Sequence, residues 1–202
     1  MSRRKGPEER PAVTIPSPEA DQLVQQAKAG DSDAFAALFR ATLSIVFNFL
    51  YGRSKDRALA EDLASETFLK AMKAIGGFEG TSRDFLSWVL RIGRNQFLDH
   101  VKSGRVRWES VVEEMPASVA ASNPEREALG RIEGEQLRRA LKQLTPEQQE
   151  VLSLRFLQDL PIADVAAIVG REQGAVKAMQ FRALRSLAKV LAAEGAAEEW
   201  DT

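Results

Sequence analysis

The stretch 160–187 constrains the fold most, because it carries the pattern of two short helices joined by a tight turn. Pro161 precedes an apolar helical segment at 162–169, and Gly170 follows it with the backbone freedom that a turn requires. A second, longer helix is predicted over 172–192. Two helices in this arrangement form a compact unit whose second helix can present one face to a partner.

The second helix of this pair has an apolar face and a basic face. Projection at about 100° per residue places four apolar residues on the inward face: Val176, Met179, Ala183 and Leu187. The opposite face carries two small residues, an aromatic ring and three cations: Gly174, Ala178, Phe181, Lys177, Arg182 and Arg185. Small residues permit close backbone approach, the cations reach phosphates or guanine edges, and the ring can contact a thymine methyl group. This pattern favours a helix that enters the major groove of DNA; the alternative is a solvated basic helix with one exposed Phe.

The rest of the chain is also predicted to be helical. We expect an all-α protein of two small helical domains joined by a flexible linker, with the helix-turn-helix in the C-terminal domain. The predicted segments are a disordered N-terminal tail (1–19), a first domain (20–107), an acidic linker (108–124), a second domain (125–192) and an acidic C-terminal tail (193–202). Within the second domain, Thr145-Pro146-Glu147-Gln148 is a capping box that starts a helix.

Composition excludes several classes of protein. The chain has 202 residues and no cysteine, which rules out a disulfide framework, a thiolate zinc site and a cysteine nucleophile. The N-terminus lacks the apolar segment of a signal peptide, and we expect no run of about 18 apolar residues, so the protein is predicted to be cytoplasmic without membrane insertion. The net charge of −1 is unevenly spread, because residues 81–108 carry +4 from six basic and two acidic residues. That local excess, together with the basic helix face, is the signal for nucleic acid.

No catalytic residue, metal site or cofactor is predicted, and we expect a protein that is not an enzyme. His100 is the only histidine and falls on the inward half of its helix, so no Ser-His-Asp set is expected. The glycine-rich loop 76–80 lacks the lysine and hydroxyl spacing of a phosphate-binding loop. A cluster of three carboxylates, Glu61, Asp62 and Glu66, has no second ligand set, which leaves a carboxylate metal hydrolase only as a third alternative.

In the first domain, the helix predicted over 57–75 has a polar face interrupted by one leucine. This face carries Asp62, Ser65, Glu66 and Lys73 around Leu69. A charged stripe with one apolar residue fits a polar-rimmed contact with a partner protein. An ordinary solvated face with an incidental leucine is the alternative.

A second helix of the first domain, predicted over 84–102, combines cations with an aromatic ring. Its inward residues are Phe85, Val89, Ile92, Gly93 and Phe97. Its outward residues are Trp88, Arg91, Arg94, Asn95 and Lys102. Cations that neutralise the backbone and a ring that stacks on bases are what melted DNA requires, although Trp88 can also be a core ring with one exposed edge. A loop beside this face could hold an unstacked base.

These motifs together resemble a known family, the bacterial RNA polymerase sigma factors of the extracytoplasmic-function (ECF) group. Ala60-Glu61-Asp62-Leu63 with Glu66-Thr67-Phe68-Leu69-Lys70 is similar to the segment that binds core polymerase. The stretch 85–92, with Arg94-Asn95 and Leu98-Asp99, resembles the promoter-melting and minus-ten-reading segment. The stretches 144–148, 151–152, 154–156, 174–177 and 182–184 resemble the region-four domain, which reads the minus-thirty-five element. The resemblance covers 21–191 in the family's order.

The resemblance implies a role for each surface. Residues 20–107 correspond to region two and residues 125–192 to region four. The polymerase-binding residues would be Asp62, Glu66, Leu69 and Lys73. The minus-ten residues would be Phe78, Thr81 and Ser82 in a loop that captures a flipped base, and Trp88, Arg91, Arg94, Asn95 and Lys102 along the opened strand. The minus-thirty-five residues would be Gly174, Lys177, Ala178, Phe181, Arg182 and Arg185.

The implied partners are core RNA polymerase, promoter DNA as duplex and as melted strand, and an anti-sigma factor. We therefore predict a transcription initiation factor that directs core polymerase to specific promoters and assists melting. The alternative is a free-standing helix-turn-helix regulator whose first domain is a sensor or oligomerisation unit. In one departure from the family pattern, Glu172 stands where a capping serine is expected.

Overall fold

The computed structural model describes residues 17–103 and 136–198, and this part of the chain is entirely helical and loop. The first domain consists of α1 (Pro18–Lys28), α2 (Ser32–Ser54), α3 (Arg57–Ala74), a 3-10 turn (Ile75–Gly77) and α4 (Ser82–Lys102). The second consists of α5 (136–142), α6 (Pro146–Leu152), a π-helical turn (Ser153–Leu157), α7 (Ile162–Val169) and α8 (Gln173–Glu198). The all-α class is confirmed. The linker predicted over 108–124 and the tail residues 1–16 and 199–202 lie outside the described residues.

Both predicted tails are shorter than expected. Residues 17–19, assigned to a disordered tail, begin the first helix: the Ser17 side chain accepts a hydrogen bond from the Ala20 N–H at 3.1 Å, and Pro18 stands in the first turn. Serine followed by proline is a helix start signal, which the proline-rich composition of the tail concealed. At the other end, the backbone of α8 stays helical to Glu198, past the expected boundary at 192.

Side-chain caps fix where several helices begin. Asp31 caps α2 and Asp56 caps α3, each with a carboxylate that accepts backbone N–H groups of the first turn. The predicted capping box of α6 is confirmed, because Thr145 and Gln148 exchange side-chain and backbone hydrogen bonds. Caps of this kind satisfy the N–H groups that a helix leaves unpaired at its start. They set the helix boundaries that position the candidate interfaces.

Helix α2 is long and apolar on average, although residues such as Asp33 and Arg40 interrupt any continuous apolar run. Its length and a mean hydropathy of 1.5 over 18 residues would suffice to cross a membrane. The helix instead packs against α1, α3 and α4. Its side chains Leu38, Val46 and Leu50 are completely buried there. We conclude that α2 is apolar because it is the central helix of the first domain's core.

Helices α3 and α4 meet at a close contact. The buried Gln96 side chain donates a hydrogen bond from Nε2 to Oγ1 of Thr67 at 2.8 Å, and Thr67 donates to the carbonyl of Leu63. A Cβ atom on Gly93 would lie 3.1 Å from the same Oγ1. The inward position predicted for Gly93 therefore permits close approach, and this contact holds the α4 face in place relative to α3.

The two domains are packed against each other. Helix α4 of the first domain contacts α7 of the second. Buried residues of both domains, including Val89 and Val165, belong to one continuous hydrophobic core. The sequence predicted two separate domains. It did not predict their contact, because helix periodicity shows which residues face inward and does not show which helix they meet.

Candidate polymerase and nucleic-acid interfaces

The polar stripe on α3 lies on the surface as its spacing predicts. Asp62, Glu66 and Lys73 are exposed. Leu69 is 52% exposed and Met72, three residues further, is 49% exposed. Sequence reasoning missed Met72, although residues three apart lie on one helix face and its spacing from Leu69 would have identified it. The resulting surface, which we call the α3 ridge (Asp62, Glu66, Leu69, Met72 and Lys73), combines two apolar side chains with a charged rim.

The predicted minus-ten face contains an aromatic cluster. The ring of Trp88 lies 4.8 Å from the ring of Phe78 and 5.9 Å from that of Phe85, measured between centroids. Phe78 is only 6% exposed, whereas Trp88 is half-buried. Trp88 is therefore a partly exposed ring that packs on core rings, and its stacking on bases stays a prediction.

The loop predicted to capture a base is closely tied to the core. The Ser82 backbone N–H donates to Oδ1 of Asp21 at 2.7 Å, and its hydroxyl donates to the carbonyl of Ser17 at 3.3 Å. Thr81 is exposed and its N–H donates to Oδ2 of Asp84 at 2.9 Å, which caps α4. Phe78 and Ser82 are buried, so of the three loop residues predicted to bind DNA only Thr81 presents its side chain to the surface.

The polar residues predicted on the outer face of α4 differ in their surroundings. Arg91, Asn95 and Lys102 are exposed. Arg94 instead donates from Nε to Oε1 of Glu150, a residue of the second domain, at 2.7 Å. This pairing was beyond the reach of sequence reasoning, because the two residues are separated by 56 positions and meet only through the packing of the two domains.

A cleft of about 410 Å³ separates this face of α4 from α7. Trp88 and Arg91 line one side, and Asp164 and Ala167 of α7 line the other. Oδ2 of Asp164 is buried without a hydrogen-bond partner among the described residues. Burial raises the pKa of Asp164 above its ordinary value, and the negative charge of Asp84 raises it further. Helix α7 thus places a carboxylate over the face that is predicted to meet DNA.

The predicted faces of α8 are confirmed as exposed and inward surfaces. All six residues of the basic face are exposed: Gly174, Lys177, Ala178, Phe181, Arg182 and Arg185. Phe181 is 68% exposed, the largest exposed fraction among the large apolar side chains of the described residues. On the opposite face Val176 and Ala183 are fully buried, and Met179 and Leu187 are half-buried.

The second domain also carries an apolar groove that sequence reasoning missed. The groove has a volume of about 260 Å³ and lies between α5, α6 and α8. Its lining includes Leu141, Leu152, Phe156, Leu157 and Leu184. Phe156 and Leu157 are 56% and 53% exposed. Only the packing shows that the rest of the described chain leaves these residues uncovered.

Comparison with known proteins agrees with this arrangement. Residues 38–107 match the family Sigma-70 region 2, and residues 134–187 match Sigma-70, region 4. The chain is 42% identical over 183 residues to the ECF RNA polymerase sigma factor BldN of Streptomyces coelicolor, an alignment that covers 90% of this chain and 69% of that protein. It is 32% identical over 171 residues to the ECF RNA polymerase sigma factor SigC of Mycobacterium tuberculosis, covering 82% and 87% of the two chains.

A solved structure supports the same assignment. The sigma factor RpoE of Bartonella quintana, in complex with the anti-sigma factor NepR, has 27% sequence identity and a TM-score of 0.60. The similarity covers 78% of this chain and 96% of that chain.

A helical pair of domains that matches both sigma-70 regions defines a promoter-recognition factor of the sigma-70 class. More narrowly, the chain belongs to the family of ECF RNA polymerase sigma factors. It is a non-enzymatic initiation factor that binds RNA polymerase and directs it to promoters. The alternatives of a free-standing regulator and a carboxylate hydrolase are set aside, because the first domain matches the region 2 family.

Proposed function

We propose that the α3 ridge is the surface by which this sigma factor binds core RNA polymerase. The observation that supports this proposal is the exposure of Leu69 and Met72, about half of each side chain, on a helix face that is otherwise charged. A small apolar centre with a charged rim is the usual anatomy of a protein interface. The match of residues 38–107 to Sigma-70 region 2 supports the same assignment.

The test is a double substitution, Leu69→Ala with Glu66→Lys. Removing a central apolar contact and reversing a rim charge should weaken binding to core polymerase by about tenfold or more. The melting temperature should remain within about 2 °C, because exposed positions contribute little to stability. Glu19→Lys, an exposed acidic position on α1, is the matched control. Unchanged affinity of the double variant would exclude the ridge.

We propose further that α4 and α8 read the two promoter elements. On α8 the proposal is supported by the exposure of Phe181 and of the cations Lys177, Arg182 and Arg185. On α4 it is supported by the half-exposed Trp88 beside Arg91. Such cations carry affinity through phosphate contacts, while the rings and small residues contact bases.

Run-off transcription with core polymerase on a library of promoter fragments tests this assignment. Phe181→Ala should alter the set of transcribed fragments, since it removes a base contact. Lys177→Ala should weaken promoter binding and reduce the slope of log affinity against log salt by about one. Lys189→Ala, an exposed cation further along α8, is the control, and equal effects of Lys177→Ala and Lys189→Ala would count against the proposed groove face.

We also propose that an anti-sigma factor sequesters this protein in the cytoplasm. The Bartonella quintana sigma factor RpoE, which has the same fold, is described in complex with an anti-sigma factor. The apolar groove of the second domain offers an uncovered surface of the kind such a partner would bury. Affinity purification of the tagged chain, followed by competition with core polymerase, tests this: a bound protein that stays on the chain while core polymerase binds the same chain would contradict sequestration by exclusive binding.

A further inference from the structure

We propose that the second domain is a built-in cover for the minus-ten face, closed by an ion triad of Glu150, Arg53 and Arg94. In this closed form α7 lies over α4, and Glu150 of α6 pairs with two arginines of the first domain. The claim that closure covers a DNA-reading surface rests on the function proposed for α4. The claim that a closed form exists does not rest on that function.

The triad is buried at the contact between the domains. Oε1 of Glu150 lies 2.7 Å from Nη1 of Arg53 and 2.7 Å from Nε of Arg94. The side chains of Glu150 and Arg53 are 1% and 3% exposed, and that of Arg94 is 16% exposed. One carboxylate therefore pairs with two guanidinium groups that belong to different helices of the other domain.

Arg53 is held ready for this contact by the first domain itself. Its guanidinium carbon lies 5.0 Å from the centre of the Phe49 ring and 5.4 Å from that of Phe97. Both rings are core residues of the first domain. A cation stacked between aromatic rings keeps its position when the other domain is absent, so the first domain presents a preformed site for Glu150.

The triad makes closure reversible. A buried charge is stable only when it is paired, and removing one partner leaves the others buried and uncompensated. When the domains separate, Glu150 and Arg94 return to water, which solvates them well, while Arg53 stays stacked on the Phe49 and Phe97 rings. The closed form is therefore held by a contact whose desolvation cost offsets much of its attraction, as a releasable cover requires.

The closed form affects the two DNA surfaces differently. Arg94 is engaged by Glu150, and Asp164 of α7 faces the cleft beside Trp88 and Arg91. A DNA strand that approached Trp88 and Arg91 would meet the carboxylate of Asp164 and the body of α7, which repel and obstruct it. The basic face of α8 stays exposed in the same structure, as Lys177 and Arg185 show. We infer that closure blocks the minus-ten face and leaves the minus-thirty-five helix accessible.

The distance between the domains in solution tests the proposal directly. The chain has no cysteine, so spin labels can be placed at two exposed serines, Ser44→Cys on α2 and Ser186→Cys on α8, without other changes. Pulsed electron resonance on the full-length protein should give one narrow distance for the otherwise native chain. Glu150→Gln should lower the population at that distance by about tenfold or more, with a broad distribution of longer distances.

Controls separate the triad from general charge effects. Glu147→Gln removes the same charge at an exposed position of α6, and should leave the narrow distance unchanged. If Glu150→Gln fails to fold, Arg94→Glu decides the question, because it sets two carboxylates against each other from a partly exposed position. Arg40→Glu, an exposed position on α2, is its control. Two results would overturn the proposal: a broad distance distribution in the native chain, or a narrow distribution that persists in a folded Glu150→Gln or Arg94→Glu variant. Neither result bears on polymerase binding by the α3 ridge.

Discussion

The carboxylate of Asp21 accepts a hydrogen bond from the backbone N–H of Ser82 at 2.7 Å, and so ties α1 to the first turn of α4. Ser82 opens the helix that carries the proposed minus-ten face, and the N–H groups of a first helical turn have no partners within the helix. Helix α1 lies before the stretch 38–107 that matches Sigma-70 region 2. It nevertheless belongs to the first domain, because its Asp21 accepts a hydrogen bond from the first turn of α4 in addition to the capping box of Thr81 and Asp84.

Replacing Asp21 tests this tie through its pH dependence. Hydrogen bonds from the Ser82 side chain and backbone lower the pKa of Asp21 below 3.8. A lowered pKa means that the ionised carboxylate stabilises the folded protein above pH 3.8, and that this stabilisation is lost as the pH falls through the folded pKa. Asp21→Ala should therefore melt at a lower temperature than the native protein at neutral pH, and the difference should shrink in acid. A difference that stays constant between neutral and acidic pH would contradict this, and Glu19→Ala on the same helix is the control.

Asp164 gives the opposite pH dependence at the contact between the domains. Its pKa is raised by burial and by Asp84, while Arg83 acts against both. Glu79 and Arg91 line the same cleft. An ionised Asp164 therefore disfavours the closed form, and this cost disappears as the pH falls from above the raised pKa towards 3.8.

We expect Asp164→Asn to increase the closed population at neutral pH and to weaken its dependence on pH. The distance between labels at positions 44 and 186, measured from neutral to mildly acidic pH, provides the check. A variant with the same pH response as the native protein would show that Asp164 is not the responsible group.

Gly80 is required by the packing of the aromatic cluster. A Cβ atom at this position would lie 2.6 Å from the Phe78 ring and 2.9 Å from Cβ of Asp84. Gly80→Ala should therefore displace the ring and destabilise the protein by about 1–3 kcal/mol. Gly77→Ala, where nothing lies within 4 Å of the added atom, should cost much less. Thermal unfolding of the two variants measures the difference, and equal stabilities would refute the packing argument.

Gly170 is required by backbone conformation. It ends α7 with φ at +68°, and a Cβ atom there would meet nothing within 4 Å. Gly170→Ala should destabilise the second domain by about 1–2 kcal/mol through strain alone. Gly174→Ala, also in open space but in helical backbone, should cause no loss. Denaturant unfolding compares the pair, and a stable Gly170→Ala variant would mean that the turn tolerates a side chain.

The elements of this fold were predictable where local rules decide them. The apolar period of 162–169, followed by Gly170, located α7 at its observed bounds. The capping box at Thr145 located the start of α6. The exposed face of α8 followed from projection of one helix, because each of its residues takes its direction from that helix alone. The same rules placed the charged stripe of α3 on the surface.

Contacts between distant segments were not predictable in this way. Leu69 and Met72 could be placed on one helix face, but the burial of Phe78 and Ser82 depends on α1 and α4 packing around their loop. The start of α1 at Ser17 follows from the serine-proline signal in the sequence. The hydrogen bond between Ser82 and Ser17 depends on the packing of α1 against α4. Helix α2 is apolar because three other helices surround it, a relationship that only the packing shows.

What the sequence alone determined is the family, the helical class and the exposed face of α8, since helix period, caps and motif spacing are all local. What only the tertiary structure decided is that Arg94 of the presumed strand-guiding set is paired with Glu150, and that α7 covers the cleft beside Trp88. The physical reason is that a helix projection specifies which side chains leave the helix surface, while the partner that meets them is set by the packing free energy of the whole chain.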